Sequence, residues 1–263
     1  MSALTAVSFG GGRQTVAMLV LAAQNEIPYR LFLFANVGDN AEGPRTLTYF
    51  REHALPYAEA HGIELRELRW VDRTGRARDL YDDLLRQENS LTIPLRDSGG
   101  FGNRKCTSRY KIEVVARELK RLGATVQDPA EVALGISVDE IDRAKPGVPK
   151  QQPWTCRTYP LLDLGLRVSD CLRLVADAGL PPAPRSACHF CPFQDAEQWR
   201  WQRRERPDLF ARNTALDATL RERHVRLRGD PAGLASATLP LDQAVDDQLT
   251  LAGMGCDSGS CFT

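Results

Sequence analysis

No stretch of the sequence approaches the roughly 18 consecutive apolar residues of a membrane-spanning helix. The opening MSALTAVSF has neither a charged n-region nor a long apolar h-region. The expectation from these absences is a cytoplasmic protein that makes no use of a membrane. Charge of one sign is missing as well: 34 lysines and arginines balance 34 aspartates and glutamates. A whole-molecule bias toward nucleic acid, lipid or an acidic substrate is thereby excluded, and any such bias must be local. No internal repeat or long low-complexity tract occurs. The seven cysteines, an odd number dispersed through 263 residues, do not suit a disulfide framework and favour metal or redox chemistry.

What is present is an alternation of strand and helix patterns. Residues 4–9 (LTAVSF) read as a buried strand, 14–25 as a helix and 30–36 (RLFLFAN) as a second strand, the order of a β-α-β unit. Residues 44–61 suit a helix kinked or broken near Pro56, and 63–70 alternate as a less buried strand. An amphipathic helix follows at 107–122, with Ile112, Val115, Ala116, Leu119 and Leu122 on one face, then a strand at 131–137. From about 144 the chain turns proline-rich and irregular, apart from a helix near 168–178. The predicted class is α/β, a doubly wound, mostly parallel, Rossmann-like sheet. The expected divisions are a nucleotide-binding domain over 1–165, a helical region with a C-x-x-C over 166–229, and an extension over 230–263 ending in a mobile cysteine tail.

Within this frame, VSFGGGRQT at 7–15 places three glycines between a strand and a helix. Such a loop lets backbone amides close on an anion at a helix N-terminus, and phosphate is the natural ligand. A tight turn with no ligand is the alternative, because the loop is neither a Walker A nor a G-x-G-x-x-G. The phosphate candidates are Ser8, Gly10, Gly11, Gly12, Gln14 and Thr15, with Arg13 as an electrostatic partner. Asn36, Gly38 and Asp39, after the second strand, either make an Asx-type turn or, as the family resemblance given below implies, contact adenosine. Asp139 and Glu140 could hold Mg²⁺ between phosphate oxygens and Arg143 could touch phosphate; a solvated helix start is the competing account.

Cys188 and Cys191 form a C-x-x-C, suited to a metal, a cluster or a redox dithiol. His189 between them reads as a surface or packing residue and Cys171 as core. The arginine-rich helix pair at 199–228 either faces nucleic acid or is a solvated amphipathic surface. Cys256 and Cys261 in the tail could carry a persulfide, exchange with a thiol redox partner, or stand as plain thiols.

The loop from Gly10 to Thr15 resembles the PP-loop of the ATP pyrophosphatases, SGGxDS, with departures at Gly10 and Gln14. FANVGDNAEGPRT, RKCTSRYKI, LGISVDEIDRA and SACHFCPF resemble, in that order, motifs of the phosphoadenosine phosphosulfate (PAPS) reductase branch of the adenine nucleotide alpha-hydrolase superfamily; the matches span about residues 5 to 210. The resemblance implies an adenine nucleotide lying across the C-terminal strand edge with its phosphates at the first loop. It implies Cys106 as the partner of Cys188 and Cys191 in an iron-sulfur cluster, since iron-sulfur adenylyl-sulfate reductases carry a double cysteine there and a C-x-x-C downstream. Thr107 takes the place of the second cysteine, which leaves Cys156, an exogenous sulfur or nothing for the fourth site. Zinc is the alternative metal.

The activity so implied uses ATP and Mg²⁺ to adenylate a substrate, releases pyrophosphate, and couples this to sulfur transfer through the cluster. The alternatives are thiol-dependent reduction of PAPS or adenylyl sulfate, although the branch's terminal E-C-G-L/I-H motif is missing, and a non-catalytic nucleotide-binding regulatory or defence-associated subunit. The expected partners are an adenine nucleotide, a sulfur donor or thiol redox partner, and a nucleic-acid acceptor. None of these patterns fixes an oligomeric state.

Overall fold

The computed structural model describes residues 4–145 and 147–246. Its strands are β1 (Thr5–Phe9), β2 (Leu31–Asn36), β3 (Glu64–Arg69), the short pair β4 (Arg96–Asp97) and β5 (Gly100–Phe101), β6 (Ala130–Leu134) and β7 (Thr155–Thr158). The helices are α1 (Arg13–Ala23), α2 (Pro44–Tyr49), α3 (Leu55–Ala60), α4 (Leu80–Arg86), α5 (Lys105–Thr107), α6 (Glu113–Arg121), α7 (Pro160–Asp163), α8 (Val168–Asp177), α9 (Ala196–Glu205), α10 (Pro207–Arg228) and α11 (Leu241–Asp246). Five strands form one parallel sheet in the order β3-β2-β1-β6-β7, while β4 and β5 pair antiparallel apart from it. The order reverses direction between β1 and β6. A crevice at the carboxyl ends of those strands is where open α/β sheets take ligands.

Strand alternation divides the core between the two faces of the sheet. Val7, Phe9, Phe32 and Phe34 pack with α1 and with Cys171 and Val175 of α8. Ala6, Leu33, Val132 and Leu134 pack with Val115 and Leu119 of α6 and with Trp199, Phe210, Leu216 and Leu220 of α9 and α10. Helices thus cover both faces, as expected of a doubly wound sheet. No helix among the described residues is long and apolar enough to cross a membrane.

Several local expectations change. The helix over 44–61 does bend, through a π-helical turn at Phe50–Ala54 that joins α2 to α3. Pro56 has no N–H for the Glu52 carbonyl, so the regular ladder cannot run through. The irregular stretch after 144 hides β7, whose Thr155–Thr158 continues the sheet beside β6. The strand expected at 131–137 ends at Leu134, and Asp139 and Glu140 start a 3-10 segment, Val138–Arg143. The boundary drawn at 165 does not separate cores, because α8 packs on α1 within one of them.

The largest revision concerns the C-terminal extension. Its first part contributes to the core: Ala232, Leu234, Ala235 and Leu241 are buried. Asp217 of α10, itself buried, accepts the Leu234 amide at 2.7 Å, the Leu241 amide at 3.0 Å and the Arg221 guanidinium at 2.7 Å. Arg221 in turn donates to the carbonyls of Ser236, Ala237 and Leu239. Cys256 and Cys261 lie outside the described residues. Asp217→Ala is expected to lower unfolding free energy by about 3 kcal/mol, because it leaves an arginine and two buried amides without their acceptor. Urea denaturation followed by circular dichroism checks this.

Candidate functional site

Gly10–Gly12 leave β1 at its carboxyl end and lead into α1, whose first turn holds no acidic residue. The first amides of a helix have no intrahelical acceptor, and Arg13 adds a cation at the positive end of the helix dipole. That arrangement is unfavourable by itself and turns favourable when an anion is present. Gly11 is buried at φ +72°, and a Cβ there would stand 2.9 Å from Thr46 Cγ2. A Cβ on Gly12 would stand 2.8 Å from Ser186 Oγ, whereas one on Gly10 would meet Ser186 Oγ at an ordinary 3.6 Å. The loop is therefore wedged between α2 and the segment before the C-x-x-C, and glycine is needed for packing as well as for anion access.

The loop after β6 closes the other wall. A Cβ on Gly135 would stand 2.9 Å from Thr15 Cγ2. Gln14 Nε2 donates to Glu140 Oε2 at 3.1 Å, and Arg143 Nη1 pairs with Glu140 Oε1 at 2.9 Å. Glu140 and Arg143 are thus brought to the glycine loop. Asp139 is not: its two oxygens accept Arg167 Nη1 at 3.0 Å and the Val168 amide at 2.7 Å. These bonds start α8, and the Val168 amide together with Arg167 holds the Asp139 carboxyl below the usual range. The expected carboxylate pair for Mg²⁺ is therefore split, and the pair does not fit that ion. Ser8 and Ser137 are buried, and their hydroxyl oxygens have no hydrogen-bond partner among the described residues. Such groups cost about 1–3 kcal/mol each unless a ligand or water satisfies them.

After β2, the two accounts of Asn36 are told apart by its bonds. Its side chain accepts the Gly38 amide at 2.8 Å and donates to Glu67 at 2.7 Å and Asp39 at 3.1 Å. The amide is spent on an Asx-type turn. Asp39 is exposed and also pairs with Arg51 at 2.9 Å and Arg69 at 2.6 Å. Gly38 is buried and its backbone is engaged as well, the amide by Asn36 and the carbonyl by the amides of Ala41 at 3.0 Å and Glu42 at 2.8 Å.

Cys106, Cys188 and Cys191 line one small cavity of about 30 Å³, together with Val37, Arg104 and Lys111. Three thiols from two distant segments fit thiolate chemistry, and the two basic residues would offset the charge of thiolates. Among the described residues no group of three His, Cys, Asp or Glu side chains is drawn close enough to hold one metal ion. Cys156 is not brought there: it pairs across from Glu131, which pairs across from Thr5, so it sits at the opposite end of the sheet. None of the five described cysteines is in a disulfide. Cys171 is buried in the core, where desolvation first, then the carboxylates of Asp170 and Asp139, push its thiol up to about 12.

His189 is neither a surface residue nor simple packing. Its Nδ1 faces Asn213 Oδ1 at 2.9 Å and its Nε2 faces the Asn40 carbonyl at 2.7 Å. Two acceptors favour the charged ring, but burial outweighs them and lowers its pKa. Its carbonyl accepts from Gln194 at 2.8 Å, Gln202 at 2.8 Å and Asn213 at 2.9 Å. These three amides position the C-x-x-C, and the sequence expectations missed them. A signal existed for Asn213, which shares the apolar helical face of Leu209, Phe210, Leu216 and Leu220. Glu42 was missed too. It is buried, its Oε2 has no hydrogen-bond partner among the described residues, and its backbone bridges to Cys188.

No family model and no curated protein matches this chain. Among solved structures it is similar to the U34-tRNA thiolase NcsA from Methanococcus maripaludis with its 4Fe-4S cluster, at 14% identity and a TM-score of 0.44, covering 97% of this chain and 83% of that one. The α/β architecture itself stands on the chain's own parallel sheet.

Two outcomes follow from the geometry. Gly11→Ala should cost about 1–2 kcal/mol through its left-handed backbone, while Gly10→Ala stays within about 0.5 kcal/mol; thermal melts of the two variants compare them. In native protein at pH 8, iodoacetamide should leave Cys171 unmodified while unfolded protein reacts there, as peptide mass mapping would reveal.

Proposed function

We propose that the chain is an ATP-dependent adenylating enzyme of the PP-loop ATP pyrophosphatase type, coupled to sulfur transfer at a cysteine-held site. The observation that carries this reading is the Gln14–Glu140 contact, which joins the glycine loop after β1 to the loop after β6 at the point where the strand order reverses. The loop amides and Arg13 would hold the phosphates, with Arg143 beside them and Glu140 fixing both Gln14 and Arg143. An oxygen of the acceptor attacks the α-phosphorus, the bond from that phosphorus to the β-bridging oxygen breaks, and pyrophosphate leaves with the electron pair. A sulfur nucleophile then displaces AMP from the activated carbon. Mg²⁺ would arrive on the nucleotide's own phosphates, since Asp139 is committed to α8.

Cys106, Cys188 and Cys191 would hold a thiolate-bound iron-sulfur group, and Cys156 would not. When bound, such a group supplies a site where sulfide is kept reactive. The cysteines' own task is to place it beside the nucleotide edge, and the amides of Gln194, Gln202 and Asn213 fix their loop.

Calorimetry with ATP should give binding that Glu140→Gln weakens about tenfold, or about 1.4 kcal/mol. Turnover with an acceptor should yield AMP and pyrophosphate. ADP and phosphate as products, or sulfite released from PAPS, would overturn the adenylation reading. Anaerobically purified protein should contain iron and sulfide, lost on serine substitution at Cys106, Cys188 or Cys191 but kept in Cys171→Ser. Recovery of one zinc and no iron would assign the three cysteines to zinc instead.

A further inference from the structure

A groove of about 810 Å³ opens on the β2 side of the glycine loop, away from the loop after β6. One wall is α2 and the π-turn that follows it, the other is α9, and the proline run 181–184 forms an edge between them. Its volume lies toward the upper end of the ~300–1,000 Å³ range of small-molecule sites. Four arginines line it against two carboxylates, Asp195 and Glu197. Asp195 pairs with Arg185 at 3.0 Å and caps α9 through the Gln198 amide at 2.8 Å, and Arg206 pairs with Asp208 at 2.8 Å, so these pairs offset one another. The groove lining still holds more arginines than carboxylates on a chain with no net charge.

Its second property is a flat aromatic surface. Trp201 is half-buried, and the Arg45 guanidinium lies over its ring at 3.8 Å from the centroid. A base can take that position on the ring, or stack on the outer face of the guanidinium. Prolines hold the edge in a fixed conformation, so little ordering is needed when a ligand enters. Arg13 of the glycine loop lines it, and so does Cys188, which is shared with the cysteine cavity.

We infer that this groove binds a single-stranded nucleic acid, with a base stacked at Trp201 and phosphates against the arginines, as the acceptor for the reaction proposed above. The identification of the strand as acceptor rests on that reading. Binding itself rests on the groove. Cation and flat ring together match a strand that repeats a phosphate and a planar base at every unit, which places both groups in the groove at once. The arginine-rich pair α9–α10 is not the interface as a whole. Arg204 and Arg206 pair with Glu205 and Asp208 at 2.7 and 2.8 Å, Arg203 lies over Phe210, and Arg221 clamps the segment after α10. The contribution of that pair to the groove comes mainly from Trp201.

The test uses the full chain without ATP and a fluorescein-labelled, mixed-sequence 12-nucleotide RNA, with the matching DNA in a parallel arm, read by anisotropy across a salt series. Binding should weaken with salt, and Trp201→Ala should weaken it about tenfold. Arg45→Ala should flatten the log–log salt slope by about 0.7–1. Tighter RNA than DNA binding assigns the 2′-hydroxyl a role, and equal binding assigns recognition to base and phosphate alone; both support the groove. No binding in either arm overturns the inference, as does binding unmoved by both variants or matched by inorganic polyphosphate. Displacement of the strand by AMP at equal site concentration also overturns it and makes the groove a mononucleotide site. ATP calorimetry on the unaltered protein separates the two ideas: no strand binding with ATP binding present sinks the groove alone, and strand binding with no ATP binding sinks the adenylation reading.

Discussion

Two loops leaving neighbouring strands, one after β1 and one after β6, approach so closely that the second has no room for a side chain at Gly135, where it meets Thr15. Gly135 faces Thr15, and Gly11 and Gly12 are fitted against Thr46 and Ser186. This crowding is what lets Gln14 reach Glu140, and Glu140 hold Arg143, from a position 126 residues away in sequence. It also ties the glycine loop to α2 and to the segment before the C-x-x-C. The phosphate candidates, the groove and the cysteine cavity consequently share walls, and a shift in one loop is transmitted to the other two through rigid contacts.

The same crowding explains which parts were legible in the sequence. β1, β2 and α1 were, because buried parallel strands are near-continuous apolar runs and a glycine triplet between strand and helix is a strong break. The bend before Pro56 was legible from the missing N–H. β7 was not, since TCRT is short, carries an arginine and lies among prolines, and only its pairing with β6 makes it a strand. Asp139 and Glu140 are neighbours in sequence with opposite fates, because the 3-10 turn points one to α8 and the other to the loop. Spacing alone carries no information on that choice. Cys106 converging with Cys188 and Cys191 was accessible only through family resemblance, while the exclusion of Cys156 required the strand register.

Holding the C-x-x-C is a task given to neutral amides. Gln194, Gln202 and Asn213 converge on one carbonyl, and the His189 ring ties the loop to Asn40. A charged clamp would carry a desolvation cost and alter the thiols it supports; amides fix geometry and leave the local charge to Arg104 and Lys111. Buried polar networks of this kind specify a single arrangement when every member is satisfied, which suits a loop whose cysteines share a cavity with a third from a distant segment.

The dependence of α10 on residues 234 to 241 bears on how the protein is made. Synthesis runs from the N-terminus, and every strand of the parallel sheet has been produced by Thr158. Asp217 and Arg221 are then completed while the amides and carbonyls that satisfy them are still to come. Until those arrive, the Asp217–Arg221 pair within the helix lacks its amide donors and carbonyl acceptors, and burying the helix wall that bears Asn213 would leave those hydrogen bonds unmade. The sheet is therefore available early in the life of the chain, and the cysteine loop becomes rigid only once residues 234 to 241 have been made, after its thiols have spent time exposed.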